Sequence, residues 1–330
     1  QFWLSAALSH GGCILSDDGA LLVDSSTLEL SNCSASGSGG GIKAAAVLVV
    51  GDAQLSIANV VASLEGGAIA AGQVSVEHAG TLRIDDSRSI QSVGGGIRAG
   101  TCEIRGALTV RGCFAGFQGG GIFVSVHLVV SGRLVVDNVG AATTGAAILV
   151  AHGGWIDLKN AIITKASSAT GAALAVLDSN STIMENVNMS EIVGSFFAIS
   201  GEGSSAAVLR EIILIVNPEF SLPRASRLVA AEISVDLQCR CEGLYPRGCL
   251  AALERVDAAT QIRCRSCPDT RSNDFEVSSI RNSSMGFSEC ACNPGFTDAV
   301  PLRPDREDSC VRCAPDDAVE IRCRSCPDTR

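Results

Sequence analysis

A Gly-Gly-apolar signature recurs along roughly the first two thirds of the chain at a nearly constant spacing. Its closing apolar residue falls at positions 14, 42, 69, 97, 122, 148, 174 and 199, so the steps are 28, 27, 28, 25, 26, 26 and 25 residues. The glycine pair is complete in the first five copies, as in Gly39-Gly40-Gly41-Ile42, and decays in the last three. A period of this length held over eight copies predicts a solenoid, because one unit of that size cannot bury its own apolar face.

A second motif precedes most copies of the signature and indicates the secondary structure of the repeat. It consists of apolar residues two positions apart that end on Asn or Asp, as in Leu28-x-Leu30-x-Asn32. This alternation is typical of a short, half-buried strand that runs into a turn. Further apolar pairs, such as Leu48 with Val50, lie between the two motifs. We therefore predict about three short strands per repeat and a parallel β-helix, since the helix of a leucine-rich repeat has no counterpart in the pattern.

The residues that close the second motif form a column that we interpret as structural. An inward-turned Asn on every coil would bond its side-chain amide to the Asn above and below. The apolar residues Leu30, Ile57, Ile84, Val110 and Val136 are expected to stack in one buried column. The predicted ladder consists of Asn32, Asn59, Asp86, Asn138, Asn160 and Asn186.

The segments 30–42 and 57–69 resemble the repeat of polymorphic outer-membrane proteins. In that family a short strand ends in Asn and is followed by a loop of small residues and then by Gly-Gly-Ala/Gly-Ile. The resemblance covers residues 10–200, with Leu, Ile or Val where the family has an aromatic residue before the Asn. It implies an all-β, right-handed parallel β-helix of eight or nine coils over residues 1–238, a fold that serves bacterial surface adhesins.

Cysteine usage changes abruptly near residue 238. Four of the 15 cysteines (Cys13, Cys33, Cys102 and Cys113) precede that point, and Cys33 lies three coils from Cys113, too far for a bridge. A density as high as that of the tail is typical of disulfide-stabilised secreted modules. The disulfide candidates are Cys239, Cys241, Cys249, Cys264, Cys267, Cys290, Cys292, Cys310, Cys313, Cys323 and Cys326. The alternative is an all-Cys zinc site in a reducing compartment, since the tail has no His.

The tail also repeats itself, because Ile-Arg-Cys-Arg-Ser-Cys-Pro-Asp-Thr-Arg occupies both 262–271 and 321–330. With Cys-x-Cys-x-x-Gly-Phe at 290–296, these spacings resemble ephrin-receptor-like and tumour-necrosis-factor-receptor-like cysteine-rich modules. The resemblance implies a small disulfide-rich domain over residues 239–330. The combination of both parts is similar to large surface proteins of single-celled eukaryotes. Because the chain begins inside a coil, we expect it to be a fragment.

Net charge, hydropathy and glycosylation sequons indicate which partners and which cellular compartment to expect. A net charge of −10 argues against nucleic acid as a partner, whose binding needs a basic surface. No apolar run reaches the length of about 18 residues that spans a bilayer, so contact with a membrane is expected only through segments outside this chain. Of four N-x-S/T sequons, Asn180, Asn188 and Asn282 are the glycosylation candidates, whereas Asn32 is expected to be shielded in the ladder.

Polysaccharide cleavage is the main catalytic alternative for a β-helix, and it requires clustered carboxylates. The candidate groups are Asp17-Asp18, Asp85-Asp86 with Arg83 and Arg88, and His152 with Trp155. Asp86 belongs to the ladder, Asp17-Asp18-Gly19 is typical of a turn, and His152 and Trp155 are expected to cap a loop. We therefore expect no catalytic residue, metal or cofactor.

The function expected from the sequence is that of a non-catalytic extracellular or cell-surface structural and adhesive protein. Its β-helix stalk would present the cysteine-rich modules to an unknown protein or glycan ligand. A receptor-type ectodomain that binds a ligand through the cysteine-rich part, and a polysaccharide-cleaving enzyme, stay open as alternatives.

Overall fold

The protein is an all-β parallel solenoid of about eight coils. The computed structural model describes residues 2–7, 10–151, 153–200, 205–216 and 226–241, followed by short strands between residues 249 and 312. Strands make up 70% of the chain, and the described residues contain no helix. The predicted fold class is therefore confirmed for the solenoid.

The solenoid strands are, in chain order, β1 (Phe2–Ala7), β2 (Ile14–Asp24), β3 (Thr27–Ala35), β4 (Ile42–Val50), β5 (Gln54–Ala58), β6 (Val61–Ala62), β7 (Ile69–Val76), β8 (Thr81–Asp85), β9 (Arg88–Ser89), β10 (Ile97–Ile104), β11 (Ala107–Arg111), β12 (Phe114–Ala115), β13 (Ile122–Val130), β14 (Arg133–Ala141), β15 (Ile148–Val150), β16 (Trp155–Val176), β17 (Ser181–Ser190), β18 (Val193–Ser200), β19 (Ala206–Val216), β20 (Ser226–Val229) and β21 (Glu232–Cys241). The strands that follow are β22 (Cys249–Val256), β23 (Ala259–Ser266), β24 (Arg271–Ser272), β25 (Val277–Arg281), β26 (Ala291–Cys292), β27 (Phe296–Asp298) and β28 (Cys310–Arg312).

Each solenoid strand pairs in parallel with its counterpart on the next coil, and the inward side chains form stacked columns. The closing isoleucines of the signature are direct partners from Ile14 through Ile42 and Ile69 to Ile148. The second predicted column is confirmed as well, since its members are consecutive partners and at most 1% exposed: Leu30, Ile57, Ile84, Val110 and Val136. Burying such a side chain stabilises the fold by about 1.5–3 kcal/mol, so the columns supply much of the driving force.

The column of Asn and Asp residues faces outward, and the inward orientation predicted for it is wrong. Asn32, Asn59, Asp86 and Asn138 are all exposed, and their φ angles are 57, 54, 51 and 53°. These residues form a sharp corner in the left-handed conformation, which Asn, Asp and Gly adopt more easily than other residues. Gly112 takes the same corner at φ 61°. The residues of this motif therefore turn the backbone at a corner of the coil. They do not form a polar ladder in the core.

In the late coils, the residues of the predicted ladder lie at a different corner of the coil. Val136 pairs with Ile163 rather than with Leu158, and Leu158 pairs with Val130 of the preceding strand. Asn160 and Asn186 are therefore at a different corner from Asn138, although both are exposed and left-handed, with φ of 52 and 54°. Asn186 donates a hydrogen bond from Nδ2 to Oδ1 of Asn160 at 2.8 Å on this outer corner.

The last copy of the signature is shifted by two residues from its predicted position. Leu174 pairs with Phe197, so Phe197 and not Ile199 continues the column of closing residues. Phe197 is completely buried. Its ring fills the volume that branched aliphatic side chains fill in the earlier coils, and the weak glycine pattern there made this position ambiguous.

The far end of the solenoid is covered by antiparallel strands from the tail. β23 pairs antiparallel with β20 and with β22, and β25 pairs antiparallel with β21. Ala259 and Ile262 of β23 are buried. Covering an open sheet edge in this way protects it from pairing with another chain. The predicted boundary between residues 238 and 239 stays a prediction.

Cysteine pairing is described only in part. Cys13 and Cys33 form a disulfide with Cα atoms 5.5 Å apart, a bond that the sequence did not predict. Cys102 and Cys113 are buried free thiols, so Cys33 is not bridged to Cys113, as expected. Cys239 is buried and disulfide-bonded. The side chains of the other tail candidates, from Cys241 to Cys326, lie outside the described residues.

Candidate functional site

The carboxylates weighed as catalytic candidates lie on different strands. Asp17 and Asp18 are exposed within β2, where the register shifts between Ser16 and Ala20, so they belong to an irregular strand rather than to the predicted turn. Arg83 Nε lies 2.5 Å from Asp85 Oδ2 in an ion pair on the outer face of β8. The hydrogen bond to Asp85 raises the pKa of the Arg83 guanidinium. Such a pair on the surface is a weak electrostatic contact.

A different cluster forms on the outer face of β10, β13 and β16, and the sequence did not predict it. His127 and Trp155 are direct partners on consecutive coils, and their rings stack with centroids 5.0 Å apart and an interplanar angle of 20°. Trp155 is 38% exposed. It begins a strand and packs on a ring of the preceding coil, so the prediction that it caps a loop is wrong. His152 lies outside the described residues.

Local insertions bring these two rings into register. Thr101 pairs with His127 across a shift in the β10–β13 register, which adds one residue to the bend of β13. Four further residues separate Val150 from Trp155, whereas only two separate Val124 from His127. Bulges and insertions of this kind re-aim side chains on a sheet surface. The segment Ala-His-Gly-Gly that precedes Trp155 was the signal available in the sequence.

Charged side chains flank the stacked rings. Glu103 Oε1 lies 3.5 Å from His127 Nε2, and Glu103 Oε2 lies 3.6 Å from an Arg105 guanidinium nitrogen. Asp157 follows Trp155 by two residues, on the same face of the strand, and its Oδ1 is buried without a hydrogen-bond partner. We call Glu103, His127, Trp155 and Asp157 the aromatic strip. An exposed aromatic ring beside carboxylates suits a ligand with both an apolar face and hydroxyl groups.

The glycosylation candidates differ in accessibility. Asn180 is exposed, Asn188 is half-buried on β17, and Asn282 lies outside the described residues. Asn32 is exposed too, so the expected shielding of its sequon is wrong. The reason is the outward direction of the corner at which it lies.

The surface also carries exposed apolar side chains on other strands and loops. Leu64, Ile90, Phe114 and Phe117 are between 40 and 56% exposed. Among the described residues, no group of three or more His, Cys, Asp or Glu side chains is arranged to hold a metal ion. Within the same ranges, no helix has the length and apolarity of a membrane span.

Comparison of the chain with protein-family models, with curated proteins and with solved structures finds no match in any of the three. The repeat type and the cysteine-rich modules therefore rest on the residues quoted above.

Proposed function

We propose that this chain belongs to a non-catalytic extracellular or cell-surface protein with a structural and adhesive role. The solenoid acts as a stiff stalk, and the cysteine-rich part is carried at its end. The repeats are of the polymorphic outer-membrane-protein type, and the tail consists of ephrin-receptor-like or tumour-necrosis-factor-receptor-like modules.

The observation that carries this proposal is the unbroken apolar column through the coils. The column that starts at Leu30 continues from Val136 through Ile163, Met189 and Leu214. These residues are completely buried apart from Leu30, which is 1% exposed. Because each coil packs on the next over its whole cross-section, the eight coils form one stiff unit, about 40 Å long at the strand spacing of about 4.8 Å.

Cysteine chemistry supports an extracellular setting. The Cys13–Cys33 disulfide and the disulfide of Cys239 are bonds that persist in oxidising compartments. Both lie near the ends of the described solenoid. A covalent link there restrains the terminal coils, which fray most easily in a stacked repeat protein.

Labelling of intact cells tests the proposal. Antibodies against this chain should label unpermeabilised cells of the source organism, and their Fab fragments should reduce attachment of those cells to a surface. Labelling only after permeabilisation would contradict the extracellular assignment. Release of reducing ends from a panel of polysaccharides by the purified chain would favour the enzyme instead.

A further inference from the structure

One face of the Trp155 indole is open. His127 covers the ring from the preceding coil. On the following coil the neighbouring position is Ser181, because the next residue along, Thr182, pairs with Ile156. A serine is too small to cover an indole. The Trp155 ring therefore projects above Ser181 and borders a shallow recess, which we call the step, in keeping with the 38% exposure of Trp155.

The floor of this step continues over small side chains. Ser181 pairs with Ala206 on the next coil. At the strand spacing of about 4.8 Å, two small residues in a row leave room beside the indole for a ring about the size of a sugar. Asp157 lies next to the step, and its Oδ1 is buried without a hydrogen-bond partner.

A glycosylation sequon lies beside the same step. Asn180-Ser181-Thr182 is an N-x-S/T sequence, and Asn180 is exposed. Asn180 immediately precedes β17, one coil on from Trp155 and one residue before the position beside it. With about 4.8 Å across and about 3.3 Å along, the two Cα atoms are separated by about 6 Å. Its side-chain amide makes no hydrogen bond to the described residues.

We infer that the first N-acetylglucosamine of a glycan on Asn180 stacks on the open face of the Trp155 indole. The inference rests on the proposed function, because only a protein that passes through a secretory pathway receives this glycan. The axial C–H groups of a pyranose carry partial positive charge and match the negative face of an aromatic ring.

The stacking also explains why the sequon is useful at this place. Coils six to eight have lost the glycine signature, and Lys165, Glu191 and Glu211 take left-handed corners that such residues adopt with strain. A sugar that bridges the coil of Trp155 and the coil of Asn180 adds a contact across this weaker part of the stack. Asn188 provides the contrast, because its strand neighbours are Ile162 and Ile213 and its sequon has no aromatic partner.

A double-mutant cycle on the full chain from a secretory host tests the inference. The glycoprotein is trimmed with endoglycosidase H to one N-acetylglucosamine per site, and urea unfolding is compared for wild type, Asn180→Gln, Trp155→Ala and the double variant. The unfolding constant of wild type should be about fivefold lower than that of Asn180→Gln, a coupling of about 1 kcal/mol. In the Trp155→Ala background, removing the sequon should leave it unchanged.

Two controls separate stacking from other effects. Trp155→Phe keeps an aromatic face and should retain most of the coupling, whereas Asn188→Gln should show no dependence on Trp155. An equal effect of the Asn180 sugar with and without Trp155, or an Asn180 that carries no glycan in the secreted chain, would overturn the inference. Trp155-dependent binding of free chitotriose to Asn180→Gln, without coupling in the cycle, would assign the step to an external glycan and also overturn it. Surface labelling of cells is independent of all these outcomes.

Discussion

The early coils, whose signatures lie between residues 39 and 122, differ from the late coils after residue 145 in how closely their backbones approach. A Cβ atom built on Gly67 would lie 2.0 Å from the carbonyl oxygen of Gly95 on the next coil. The late coils carry alanine at this position, and Ala146 and Ala172 are completely buried. The same corner of the solenoid is thus built with glycine in the early coils and with alanine in the late coils.

The difference follows from a change in hydrogen bonding. The Gly67 N–H donates to the carbonyl of Gly94, the first glycine of the next signature. The Ala146 N–H donates instead to Ala172, the second residue of the next signature. Moving the acceptor by one residue leaves space for a methyl group. The glycine pair is therefore a property of the tight corner, and the solenoid continues without it.

The largest effect is expected in the apolar column, which both regions share. Ile84→Ala in the early coils should destabilise the protein by about 2–5 kcal/mol, because it leaves a cavity between stacked coils. Met189→Ala in the late coils should fall in the same range. Urea unfolding followed by circular dichroism measures both. A cost below about 1 kcal/mol for Met189→Ala would mean that the late coils are not packed around this column.

A smaller effect is expected at the signature corner, where the two regions differ. Gly67→Ala should destabilise the protein by about 1–3 kcal/mol, since the methyl group must displace backbone of the next coil. The reverse change in the late coils, Ala146→Gly, meets no clash and should cost only about 0.5–1 kcal/mol. Equal costs for the two variants would show that the backbone approach does not distinguish the corners.

The left-handed corner provides a third comparison, with effects of opposite sign. Asn59→Ala should destabilise the early coils by about 1 kcal/mol, because alanine pays the full cost of positive φ. Glu191 takes the equivalent corner in the late coils at φ 53°, and Glu191→Asn should stabilise the protein by less than about 1 kcal/mol. Thermal unfolding resolves both shifts. A destabilising Glu191→Asn would indicate that the glutamate makes a contact worth more than the corner strain.

The smallest effect at neutral pH concerns the buried free thiols, which among the described residues belong to the early coils. Burial raises the pKa of Cys102 and of Cys113 from 9.0 to about 12. A raised pKa in the folded state means that stability is complete below about pH 9 and is lost as the pH rises towards 12. The free energy of unfolding should therefore fall between pH 8.5 and pH 10.5.

Cys113→Val is the matched variant, because Val60 and Val139 occupy the equivalent position on other coils. It should leave stability at pH 7 nearly unchanged and remove part of the alkaline loss. If the slope between pH 8.5 and pH 10.5 is the same in the variant, Cys113 is not the group that titrates.

The sequence predicted the candidate site less well than it predicted the fold. The corner residues were recognised, but Asn32 and Asn59 were placed inside because an Asn column is compatible with either direction. The stack of His127 on Trp155 was missed because the two residues are 28 positions apart and belong to no common motif. Their contact depends on a bulge in β13 and on the insertion before β16, which a fixed period does not reveal.

By itself, the sequence determined that the chain winds into a stacked parallel β-solenoid. Apolar residues that recur in phase over many coils can be buried only against the neighbouring coil. The sequence period is therefore sufficient to predict the stacked architecture. Only the tertiary structure decided which corners turn in the left-handed conformation, how the late coils are registered, and which outward side chains meet. Those features depend on locally inserted residues, which shift the pairing of the strand that follows relative to the neighbouring coil.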